Sequence, residues 1–116
     1  MKILWITNTI FPVPSKEIGL PEPLVGGWMY SSAKYLLDHF DNIKLGVASL
    51  YWGKKLKTFK TDRIIYYLIP RSTAAHLYDK NLENYWQIVE KEFSPDVVHI
   101  HGTEYPHGLA YVNACG

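Results

Sequence analysis

The sequence has a single cysteine, Cys115, among its 116 residues, so no internal disulfide framework is possible. A lone thiol fits a reducing compartment. Long apolar runs are also missing, and nothing reaches the roughly 20 residues that span a bilayer. After Lys2 only four apolar residues follow, Ile3 to Ile6, with no small-residue cleavage site, which argues against a secretory signal peptide. Neither sign of charge prevails. Twelve Lys and Arg stand against eleven Asp and Glu, for a formal net charge of +1. That field is too weak to make nucleic acid the main partner. Lys54, Lys55, Lys57 and Lys60 form the one basic cluster, and it reads as a solvated loop. A soluble, cytoplasmic protein is expected, with peripheral contact at the inner face of a membrane left open.

A dinucleotide fingerprint is absent too. It needs G-x-G-x-x-G directly after the first strand and an acid ending the second. Here the first glycine after the opening apolar run is Gly19, and the second predicted strand ends in Ser49-Leu50-Tyr51. An oxidoreductase is therefore disfavoured.

What is present is ample core material. The chain is 47% hydrophobic and 20% charged, with no compositional sign of disorder, and its length allows at most one domain. Lys2 to Thr7 is a nearly continuous apolar run, the pattern of a central strand covered on both faces. From Asn8 to Gly27 the chain is punctuated by Pro12, Pro14, Gly19, Pro21, Pro23 and Gly26, and a long irregular loop is expected. A helix follows over 28–40, with Met29, Ala33, Leu36, Leu37 and Phe40 on one face. A second strand is predicted at Lys44 to Tyr51 and a third at Arg63 to Ile69. The gap between them is too short for a packed helical crossover, so a hairpin turning near Thr61-Asp62 is expected. Another helix covers 81–93, with Leu82, Tyr85, Trp86, Val89 and Phe93 inward and Ser94-Pro95-Asp96 as its stop. The fourth strand, Val97 to His101, is short and buried in character, and a further helix begins near Gly108. The alternation of strands and helices predicts an α/β fold with an open, mainly parallel sheet in the order 3-2-1-4 and helices on both faces.

Ligands of such sheets collect beyond the carboxyl ends of the strands. That edge is predicted to hold Asn8 and Thr9, the Gly26-Gly27 pair, and His101 to His107. Two glycines before a helix let the backbone approach a ligand, and the free N–H groups of the helix start attract an anion such as phosphate. The plainer alternative is a flexible helix entry. On a strand His99 and His101 share one face. With His107 they could ligate a metal, but thiolate or carboxylate partners at useful spacing are missing, so zinc is the least favoured reading. His99 is expected to be buried with a structural hydrogen bond. His101, at the strand's carboxyl end, is the one expected to meet a ligand, with Glu104 and His107 secondary. The nine tyrosines and four tryptophans could stack on sugars but are expected mainly in the core.

Four segments taken in order resemble the N-terminal half of retaining glycosyltransferases of the GT-B fold, family 4. They are the MKILWITN start, GGWMYSSAKYLLDHF, DRIIYYLIP and PDVVHIHG. The resemblance implies a Rossmann-like, acceptor-side domain, here truncated, whose donor-binding domain and most of whose catalytic groups lie beyond Gly116. It implies sugar transfer from a nucleotide-sugar to a glycan, lipid or other acceptor, with retention. No metal or other cofactor is required, the nucleotide-sugar being a substrate. The glycine loop, Gly26 and Gly27, would face the donor diphosphate. Asn8, Thr9, His101 and Glu104 would line the acceptor side. The proline-rich insertion from Phe11 to Val25 departs from the family pattern and implies an unusual acceptor pocket. The fragment alone is expected to be inactive and, with an unpaired fourth strand, to self-associate. The rival reading is a stand-alone α/β module that binds a phosphate or nucleotide without catalysis.

Overall fold

The computed structural model describes residues 1–8, 10–19, 27–61, 63–71, 77–101 and 107–116, with the side chains of residues 28 and 107 excepted. Its centre is a mostly parallel sheet of five strands among the described residues: β1 (Lys2–Ile6), β2 (Lys44–Trp52), β3 (Lys57–Lys60), β4 (Ile64–Arg71) and β5 (Val97–Ile100). They lie side by side in the order β3-β4-β2-β1-β5. Strand β1 is interior, parallel to β2 on one side and to β5 on the other, with Trp5 in register with both Val47 and His99.

This order is not the four-strand one expected from the sequence, because a fifth strand, β3, adds to the sheet beside β4. Its sequence is KTFK, with only Phe59 turned inward, so no apolar run announces it. Lysines at both of its ends suit an edge strand, since they discourage pairing with another chain. The expected hairpin exists but joins β3 to β4, whereas β2 and β4, the expected second and third strands, are parallel neighbours. After β2 the chain crosses to the sheet edge, descends as β3, turns, and rises as β4 between them. Thr61 N–H closes that turn on Ile64 O at 2.9 Å; Asp62 lies outside the described residues. Strand β4 also runs on through Pro70, past the end of β3, where the ring's missing N–H costs no ladder bond on that side.

Strand alternation sorts the core onto two faces. Leu4, Ile6, Ala48, Tyr67 and Ile69 pack against Leu82, Trp86, Val89 and Phe93 of α3 (Asn81–Phe93) and Ala110 and Tyr111 of α4 (His107–Cys115). On the other face Trp5, Leu45, Val47, Ile64 and Tyr66 pack against Met29, Ala33 and Leu37 of α2 (Gly27–His39), with Phe11 beside them. Trp86 is fully buried, and the roughly 3 kcal/mol that burial of a large ring contributes is partly offset by its indole N–H, which has no acceptor among the described residues. Gly46 lets α3 approach: a Cβ there would stand 3.0 Å from the Phe93 ring and 3.2 Å from Leu4.

Three local expectations are corrected. The stretch after β1 is not wholly irregular, because α1 (Pro12–Glu17) forms within it. Prolines in a first turn cost nothing, since those N–H groups have no intrahelical partner anyway. Phe40 is half exposed rather than inward, because α2 ends one residue before it. Strand β5 is not buried: its residues alternate between exposed and half-buried, as befits a strand at the sheet edge.

Two polar contacts fix the frame. Asp96 exchanges hydrogen bonds with Lys2, its N–H to Lys2 O and its carboxylate from Lys2 N–H, both at 2.8 Å, which sets the register of β5 on β1. Arg63, just before β4, donates to the carbonyls of Leu37, Phe40 and Ile43. It thereby satisfies the carbonyl end of α2 and holds that end at the amino edge of the parallel strands.

Candidate functional site at the carboxyl edge of the sheet

With its carbonyl end held by Arg63, α2 runs back across the sheet, and its first residue, Gly27, lies towards the carboxyl edge. Thirteen residues make a helix about 20 Å long, enough to span β1, whose five residues extend about 17 Å. The same edge receives the ends of β1 and β5. Thr7 continues β1 by donating its N–H to Ala48 O at 2.9 Å, and His101 continues β5 by donating its N–H to Ile6 O at 2.8 Å. Thr7 is fully buried, and its hydroxyl lies 3.4 Å from that of Ser49. Asn8, the next residue, is exposed.

The sheet thus brings Asn8 and His101 to the ends of adjacent strands, with the start of α2 towards the same edge. Thr9, Gly26 and Glu104 lie outside the described residues. His107 begins α4.

His99 contradicts its expected burial. It is exposed on β5, and its ring stacks on that of His101 with centroids 3.9 Å apart. An edge strand covered on one face leaves the opposite side chains in water, and His99 belongs to the uncovered face. His101 is half-buried, and its ring meets Trp5 edge-on with centroids 4.5 Å apart. Burial, and then the neighbouring His99, lower its pKa from 6.5 to about 4. At neutral pH it is therefore an uncharged imidazole, with one nitrogen able to donate and one to accept. The supporting Trp5 was missed as a site residue because its apolar character marks only the strand core.

Among the described residues no group of three or more His, Cys, Asp or Glu is placed to hold a metal ion. Nor is any described helix long and apolar enough to cross a membrane.

A second concavity was not foreseen. Beyond the ends of β2 and β4, a cavity of about 530 Å³ is lined by Gly53, Lys54, Pro70 and Arg71 and by Asp79, Asn81, Asn84, Tyr85 and Ile88 at and in α3. Lys54 is exposed, as expected of the basic cluster, yet it also lines this cavity. The signal that could have found the cavity is the cation Arg71 directly after Pro70, at the carboxyl end of an apolar strand.

Comparison of the chain with protein-family models, with curated proteins and with solved structures gives no match.

Proposed function

We propose that this chain is the acceptor-side, Rossmann-like part of a retaining GT-B glycosyltransferase, similar to those of family 4. The observation that carries the reading is the convergence of the β1 end, the β5 end and the start of α2 on one edge of a parallel sheet. Gly27 opens α2, whose first N–H groups carry the positive end of the helix dipole. Those groups bind the donor diphosphate, on which negative charge grows as the sugar leaves. Asn8 and His101 contact the acceptor, and a neutral His101 makes hydrogen bonds without placing a fixed charge there. A second domain, outside these residues, supplies the nucleotide contacts and the other wall of the cleft.

The test is an acceptor-dependent transfer assay with UDP- and GDP-sugars on the longer protein that this reading requires, beside the 116-residue chain alone. Nucleoside diphosphate release with retained anomeric configuration is expected from the longer protein and none from the shorter. Turnover by the 116-residue chain contradicts the domain assignment. Nucleotide binding by that chain, with no transfer from either protein, favours a stand-alone binding module.

A further inference from the structure

The cavity beyond β2 and β4 lies apart from Asn8, Gly27 and His101, none of which lines it. Its volume, about 530 Å³, falls in the roughly 300–1,000 Å³ range of small-molecule sites. Its lining has the makings of an anion site. Its lining includes two cationic side chains, Lys54 and Arg71, and one carboxylate, Asp79. That carboxylate is already engaged, accepting from Asn81 N–H at 3.0 Å.

Arg71 is the more constrained of the two cations. It is in register with Trp52, and its guanidinium carbon stands 4.2 Å from the centroid of the Trp52 ring. Stacking of this kind fixes the plane of the guanidinium and leaves its edge for bidentate recognition. The Arg71 Nε is buried and has no acceptor among the described residues. The amides of Asn81 and Asn84 and the phenol of Tyr85 supply neutral donors and acceptors around the same space. Gly53 shapes the near wall, since a Cβ there would overlap the Tyr51 ring, whose hydroxyl donates to Lys55 O.

We propose that this cavity binds a small hydroxylated molecule bearing one anionic group, phosphate or carboxylate. Arg71 and Lys54 hold the anion, and the asparagines hold the hydroxyls. The proposal goes beyond the transferase reading and does not depend on it, because binding is measured without any transfer.

The experiment is calorimetric titration of the chain with glucose 6-phosphate, glucuronate and glucose, repeated with Arg71→Met and Lys54→Gln. Met keeps an apolar stem over Trp52, and Lys54 is exposed, so both variants are expected to fold. At least one of the two anions is expected to bind, more weakly as salt rises, and glucose not measurably. Preference between the two anions identifies the group as phosphate or carboxylate. Arg71→Met is expected to weaken binding at least tenfold, the usual scale for a lost charge-assisted hydrogen bond. Lys54→Gln is expected to weaken it about threefold, as an exposed charge does. Equal binding of glucose, no binding of either anion, or unchanged affinity in both variants overturns the proposal.

Discussion

The indole of Trp5 meets the imidazole of His101 edge-on, with ring centroids 4.5 Å apart and planes at 60°. The contact ties an expected ligand-facing residue to the core, since Trp5 belongs to the cluster under α2. It also helps exclude water from the imidazole and so favours its neutral form.

That has a pH consequence. His101 has a folded pKa of about 4 against an ordinary 6.5, so between these values only the unfolded chain takes up its proton. The stability contributed by the neutral ring is complete above pH 6.5 and lost as the pH falls towards 4. His101→Gln should flatten this part of the profile. Urea midpoints at pH 7.5 and pH 5 for both proteins check it, and an identical pH dependence contradicts the placement of the ring. In the longer protein, His101→Ala should weaken acceptor use more than nucleotide binding, read as acceptor KM against calorimetric Kd.

Gly46→Val tests the packing of α3 on β2. The new side chain must displace Phe93 and Leu4, both held in the core. Overpacking of this kind costs about 1–3 kcal/mol. Denaturant unfolding should show that loss, and wild-type stability would mean that α3 sits further from the sheet.

Two Tyr→Phe changes should differ in outcome. The Tyr111 hydroxyl donates to the Glu90 carboxylate at 2.6 Å, joining α4 to α3, so its removal should cost about 1.5 kcal/mol. The Tyr67 hydroxyl is buried without a partner among the described residues. Its removal should be neutral or stabilising, because an unsatisfied polar group leaves the core. Thermal melts of the two variants distinguish them, and equal losses would contradict the assigned hydrogen bonding.

Much of the sheet was legible because burial on both faces writes itself into sequence. The runs ILWI and IIYYLI mark β1 and β4, and each helix face of α2 and α3 shows the spacing of its buried side chains. What failed was decided by neighbours rather than by local pattern. Strand β3 is polar because it lies at an edge, and α1 hides behind prolines that usually signal loops. His99 looked buried because its strand is apolar, but an edge strand covered on one face exposes the other. The local sequence around Asp96 shows only a helix stop, and its clamp on Lys2 depends on a pairing 94 residues apart. The cavity at Arg71 needs β4 and α3 together, which no local window contains.

Self-association is a further expectation for the 116-residue chain. Among the described residues β5 is a sheet edge, and its Val97 is 46% exposed. Unpaired edge groups next to apolar side chains invite pairing with a second copy. Light scattering over a concentration series should show mass rising above 13.4 kDa. A constant monomer mass contradicts the expectation.

The central claim, that the start of α2 binds the donor diphosphate, is tested most directly by Gly27→Val in the longer protein. A side chain at that position would crowd a ligand brought against the backbone and take N–H donors from a leaving group that gathers negative charge. Losing such a donor typically costs about 3 kcal/mol, or roughly a hundredfold in rate. The measurement is the initial rate of sugar transfer, with nucleotide affinity and melting temperature taken on the same preparations. The account predicts a rate about a hundredfold lower, weaker nucleotide binding and a nearly unchanged melting temperature. A wild-type rate and affinity would contradict it and leave Gly27 a simple entry into α2.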